Sequence, residues 1–141
     1  MTIKIKKLHP HALIPTYAHP HDAGMDFFSC ETITLLPGER KLIPTGIAMA
    51  IPSGYVGLLW DKSGLAGNYG LKTMGGVIDS GYRGEIKIVV HNLSDKPYTF
   101  ETGTKIAQML LQQVEQKQLV EVEELDDTSR GEGGFGSTGM K

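Results

Sequence analysis

Apolar and polar positions alternate along much of this chain with a period of two, in short runs broken by glycine and proline. Residues 2–8 alternate Ile3 and Ile5 with the polar Thr2, Lys4 and Lys6, as a half-exposed strand requires. Residues 32–36 form a second short run, which stops at Pro37-Gly38. The stretch 40–51 continues through Pro44 and Gly46, which predicts an edge strand or a bulge. Further strands are predicted over 55–60, 85–93, 105–115 and 118–123. Segment 75–90 reads as a hairpin: an apolar strand to Ile78, a turn carrying Asp79, Ser80 and Gly81, and a return strand from Glu85. Helical periodicity is missing, apart from one possible turn over 63–67. Short strands with frequent turn signals predict an all-β fold, a jelly-roll-like barrel or sandwich.

Composition divides the chain in two. Residues 1–122 carry nearly all the strand pattern and are read as one β domain, the size expected of 141 residues with 40% hydrophobic content. Residues 123–141 are an acidic linker, Glu123-Glu124-Leu125-Asp126-Asp127, followed by a Gly-rich arm with one arginine and one phenylalanine. Such a tail is expected to be disordered in the free protein. A formal net charge of −2 supplies no general attraction to nucleic acid, so any phosphate must be held by local donors. The lone Cys30 excludes an internal disulfide and suits a reducing, cytoplasmic setting. The basic start lacks the apolar core of a signal peptide, and no run has the length of a membrane span.

Candidate chemistry gathers in five segments. Ala23-Gly24-Met25-Asp26 offers an acid, which local sequence reads equally as the cap of a turn. Lys62-Ser63-Gly64-Leu65-Ala66 offers an ammonium, a hydroxyl and an unobstructed backbone N–H in succession; this suits either a phosphate cradle or a short helix capped by Ser63. Gly76-Val77-Ile78-Asp79, with Tyr82-Arg83-Gly84, puts a carboxylate, a ring and exposed amides at one turn. Those are the parts that hold a flat polar base and activate a water beside it. Asp79 serves equally as an Asx-turn acceptor, and Tyr82 as a half-buried strand aromatic. Gly103-Thr104-Lys105-Ile106-Ala107-Gln108 and the arm from Arg130 to Gly139 complete the set. His9, His11, His19 and His21 lie in two His-Pro-His segments without structural-zinc spacing, and His91 reads as a structural strand residue.

In this order the five segments resemble the motifs of the homotrimeric dUTPases, over nearly the whole chain from Leu13-Ile14-Pro15 to the tail. The resemblance implies hydrolysis of dUTP to dUMP and pyrophosphate by water attack at the α-phosphorus. That reaction keeps uracil out of DNA and supplies dUMP for thymidylate synthesis. It implies Asp79 as the residue that holds and deprotonates the water, with Lys62 and Asp26 beside it as catalytic residues. Lys62 stands where the family has arginine, keeping the charge without the bidentate fork. Lys62, Ser63, Gly64 and Gln108 would face the phosphates. Tyr82 would lie on the deoxyribose, leaving no space for a 2′-hydroxyl. Thr73, Val77, Ile78, Asp79 and Lys87 would line the uracil pocket, although some bacterial relatives have asparagine where Thr73 stands.

The tail would act as a lid, with Phe135 on uracil, Arg130 at the γ-phosphate, and Gly136, Ser137 and Thr138 supplying further donors. Stacking alone returns less than ordering the tail costs, so closure would depend on the triphosphate. Mg²⁺ is implied as a bridge between phosphate oxygens, with water and no dedicated protein ligand completing its shell. The partners implied are dUTP and two further copies of the chain in a trimer with inter-subunit sites, and neither nucleic acid nor membrane. The alternatives are a dCTP deaminase or bifunctional deaminase-diphosphatase, which usually has a second serine where Gly64 stands, and a non-catalytic jelly-roll binding protein.

Overall fold

The computed structural model describes residues 1–139. Its elements follow in the order β1 (Lys4–Lys7), β2 (Gly24–Phe28), β3 (Ile33–Leu35), β4 (Arg40–Pro44), β5 (Ile47–Ala50), β6 (Tyr55–Trp60), α1 (Ser63–Tyr69), β7 (Leu71–Met74), β8 (Val77–Ile78), β9 (Lys87–Asn92), β10 (Tyr98–Phe100) and β11 (Lys105–Gln113). They pair, all antiparallel, into a four-stranded sheet β2-β11-β6-β8, a three-stranded sheet β4-β9-β7, and two ribbons, β1-β5 and β3-β10. The architecture is all-β and jelly-roll-like, as the alternation predicts.

Period-two patterning explains the core directly. On β9, Ile88, Val90 and Asn92 turn inward while Lys87 stays exposed. They meet Phe27, Leu35, Ile43, Ile47, Phe100, Ile106 and Met109 in one apolar cluster. Fully burying side chains of this kind stabilises by about 1.5–3 kcal/mol each before conformational entropy is set against it. Asn92 is buried without penalty because its amide donates to the carbonyls of Leu35 (3.1 Å) and Lys96 (2.7 Å).

Several expectations change in contact with tertiary structure. The predicted strand over 40–51 divides into β4 and β5 at Thr45-Gly46, where the chain moves from one sheet to another. Segment 75–90 is not a ladder-paired hairpin: β8 pairs with β6, whereas β9 pairs with β4 and β7. The turn between them therefore crosses from sheet to sheet, closed by the Tyr82 amide donating to the Asp79 carbonyl (3.1 Å). Segment 118–123 forms no strand, because no edge in this chain is paired with it; Leu119, Val120 and Val122 are exposed. Strands β2, β7 and β10 are unpredicted, being short and lying inside motif or turn sequence. The helix runs two residues beyond the predicted turn, to Tyr69.

Beyond Val114, whose amide donates to the Gly54 carbonyl, the described tail makes hydrogen bonds only within itself. Turns close from Gly133 to Arg130, Ser137 to Gly134 and Gly139 to Gly136. No helix among the described residues is long and apolar enough to cross a membrane.

Candidate active site

Asp26 sits in the middle of β2 and is 2% exposed. A carboxylate so placed needs partners, and two ammonium groups supply them: Lys62 Nζ lies 2.6 Å from Oδ1 and Lys105 Nζ 3.1 Å from Oδ2. Burial pushes the Asp26 carboxyl up, but the hydrogen bonds and charges of the two lysines outweigh it and hold the group below its ordinary value of 3.8. The turn-cap alternative for Asp26 is thereby replaced by a buried ion-paired cluster.

Lys105 reaches this cluster through a register shift. Gln108 stands opposite Asp26, so the two share a face of the sheet. In a regular strand Ile106 would share that face with Gln108. The bulge between Lys105 and Ala107 instead sets Lys105 opposite Phe28, on the Asp26 side, and leaves Ile106 buried. Sequence reasoning missed Lys105 as a site residue because a bulge leaves no mark in a run such as Lys105-Ile106-Ala107. Gly24 has its own reason: a Cβ there would fall on Gln108 Oε1. Gln108 Nε2 donates to the Asp61 carbonyl (2.9 Å), so it is held in place rather than loose on the surface.

Lys62 is the N-cap residue of α1 and makes no side-chain cap hydrogen bond. Ser63 is the first helical residue, not the cap, so the first-turn amides of Ser63 and Gly64 stay open. Thr73 does not line the cavity described below; its amide (2.6 Å) and hydroxyl (2.8 Å) both donate to Asp61 Oδ1.

The second group of predicted residues lines a cavity of about 480 Å³ walled by Leu42, Val77, Ile78, Asp79, Tyr82, Glu85, Ile86 and Lys87. Among the described residues the Asp79 carboxylate accepts no hydrogen bond, so the Asx-turn alternative is not realised; the main chain alone closes that turn. Tyr82 is 45% exposed, and its hydroxyl donates to the Glu85 carbonyl (2.8 Å). A Cβ on Gly84 would come within 2.5 Å of Tyr82 Oη, so glycine lets the ring lie flat against the turn.

The two groups are not brought together within one chain. Asp26 lies on one edge strand of the four-stranded sheet, and Ile78, next to Asp79, on the other. Gln108 pairs with Trp60 of β6 while Ile78 pairs with Gly57, three residues along. At the spacing of strands and residues in a sheet, three strand steps of about 4.8 Å and four residue steps of about 3.3 Å put about 20 Å between Asp79 and the Asp26–Lys62 pair. In the arm, Phe135 is fully exposed and Arg130 Nε donates to the Gly133 carbonyl (2.6 Å).

Comparison with known proteins bears on this divided site. The dUTPase family model matches residues 11–139. The deoxyuridine 5′-triphosphate nucleotidohydrolase of Nocardia farcinica is 49% identical over 140 residues, 97% of this chain and 85% of that protein. The Staphylococcus bacteriophage 80alpha dUTPase with dUPNHPP superposes with a TM-score of 0.94 at 35% identity, covering 99% of each chain. A mutant dUTPase from phage phi11 of S. aureus, whose structure describes coordination of a structural Mg(II) ion, gives 0.85 at 31% identity over 90% of this chain and 100% of that one.

Proposed function

This chain belongs to the dUTPase family, and from that premise we propose how its own residues carry out the reaction. It is an enzyme that hydrolyses dUTP to dUMP and pyrophosphate. The observation that carries the mechanism is the unengaged Asp79 carboxylate at the rim of a nucleoside-sized cavity. Asp79 holds a water and takes its proton as the water attacks the α-phosphorus. A carboxylate is a weak general base, so Asp79 acts here mainly by orienting that water.

Val77, Ile78 and Lys87 enclose uracil, and the Tyr82 ring fills the space a 2′-hydroxyl would need. Lys62, the amides of Ser63 and Gly64, and Gln108 receive the phosphates. Arg130, Phe135, Gly136 and Ser137 close over the bound nucleotide, with Phe135 stacked on the base. Magnesium fits the donor set as a substrate-borne ion: both Asp26 oxygens are already held by ammonium groups, so phosphate oxygens and water would be its ligands. When bound it neutralises the charge that develops on the departing pyrophosphate.

The separation between Asp79 and the Lys62 cluster supports a trimer in which each site takes its halves from different copies. The exposed apolar residues Leu42, Trp60, Met74 and Val77 are in keeping with such contacts. A cytoplasmic setting fits the lone buried thiol of Cys30.

The test is pyrophosphate release from dUTP, dCTP, dTTP and UTP with Mg²⁺, by the wild type and by Asp79→Asn. The wild type is expected to turn over dUTP alone; the variant should bind dUPNHPP normally and lose about 10²–10⁴-fold in kcat. Equal turnover by the variant would remove Asp79 from the mechanism, and conversion of dCTP to a uracil nucleotide would move the enzyme to the deaminase branch.

A further inference from the structure

Asp61 follows the last residue of β6 and precedes Lys62, and no role in the reaction falls to it from the motifs. Its carboxylate and carbonyl together accept four hydrogen bonds. Oδ1 accepts two hydrogen bonds from Thr73, the amide at 2.6 Å and the hydroxyl at 2.8 Å. Oδ2 accepts from Lys72 Nζ at 2.7 Å, and the main-chain carbonyl accepts from Gln108 Nε2 at 2.9 Å. The donors lie on β7 and β11, elements of different sheets.

Strand β7 is the edge of its sheet, paired only with β9. An edge strand leaves outward amides without a ladder partner. The Asp61 carboxylate supplies that partner to Thr73, so the edge of one sheet is fastened to the end of β6 in the other. Asp61 is itself held: burial pushes its carboxyl up, but hydrogen bonds from Lys72 and from the Thr73 amide and hydroxyl, with the Lys72 charge, bring it below 3.8. It is ionised at neutral pH and works as a fixed acceptor.

We propose that Asp61 is a positioning residue for the phosphates, fixing the places of Lys62 and Gln108. Its carboxylate clamps the β6–α1 junction to β7, which sets where the chain places Lys62, one residue on. Its carbonyl orients the Gln108 amide. The Lys72 contact contributes less, because that ammonium is half exposed and competes with water. This inference rests on the reading of Lys62 and Gln108 as phosphate contacts made above.

The test compares binding of dUPNHPP, which carries the full triphosphate, with binding of dUMP, which carries the same base and sugar. Asp61→Ala is expected to weaken dUPNHPP about tenfold or more and to leave dUMP within about twofold, since displacing a charged contact acts where the charge is. Asp61→Asn keeps an oxygen at the Thr73 position and should restore dUPNHPP binding to within about threefold of wild type. Thr73→Val, which removes one of the two hydrogen bonds to Oδ1, keeps the question open to measurement should the alanine variant fail to fold; it is expected to give a selective loss of about threefold. Equal losses for both nucleotides in these variants would make Asp61 a general structural residue and overturn the proposal. Unchanged dUPNHPP binding in Asp61→Ala would do the same. Lys62→Met runs alongside: if it leaves dUPNHPP binding intact, the phosphate reading fails and the positioning role falls with it.

Discussion

Lys62 carries one charge on a flexible stem, where a guanidinium would present a planar fork. In this chain Lys62 and Lys105 take one oxygen each of the buried Asp26 carboxylate, so two ammonium groups are held at fixed places by one anchor. The anchor depends on ionisation. Asp26 has its folded pKa lowered from 3.8, so the stability it contributes is complete above its unfolded pKa and is lost as pH falls through the folded value. Thermal unfolding followed against pH should therefore show Asp26→Asn less stable than wild type at neutral pH, by about 1–3 kcal/mol. The difference should start to shrink as pH falls past 3.8 and close only below the lower, folded pKa, where the wild-type carboxyl is protonated as well. Lys105→Met would raise the folded pKa toward the ordinary value and move that acid limb to higher pH. A difference that stays constant down to the lowest pH would mean the pair adds nothing.

At the scale of elements, alternation and turn chemistry made much of the fold legible in advance. Strands β1, β3, β6, β9 and β11 fall where period-two runs predict them. Pairing was not legible, because the partner of a strand is a long-range property: nothing in 75–90 says that β8 joins β6 while β9 joins β4 and β7. The same limit hid the cluster around Asp26. Its residues stand far apart in the chain, and the bulge that delivers Lys105 is visible only once β11 lies against β2. Asp61 was hidden for a related reason, since an acid before a lysine reads as a solvated side chain until the Thr73 amide is seen to need a partner. The arm is set off in the sequence by its glycine composition, and Phe135 within it is exposed. Among the described residues its hydrogen bonds reach no further back than Thr128, so deleting residues 129–141 should leave the melting temperature within about 2 °C of wild type. As the proposed lid, its loss should lower kcat/KM for dUTP by about 10²-fold. Unchanged kinetics would mean that the arm takes no part in closure.

At the scale of the whole molecule, one chain holds the parts of the reaction without assembling them. The cavity with Asp79 lies off one edge of the four-stranded sheet, and Asp26, Lys62 and Gln108 lie toward the other. In the proposed reaction the reactive phosphorus meets the water held by Asp79 while its neighbouring phosphates meet Lys62, which requires reacting atoms about 3–3.5 Å apart. A separation of about 20 Å within the chain is incompatible with that geometry unless a second copy supplies one half. The most direct measurement is complementation: chains bearing Asp79→Asn and chains bearing Lys62→Met, each inactive alone, are co-expressed, purified as mixed trimers and assayed for pyrophosphate release from dUTP. Sites built between copies predict recovered activity, because an unmutated Asp79 from one chain meets an unmutated Lys62 from another. Mixed trimers no more active than either parent would contradict the account.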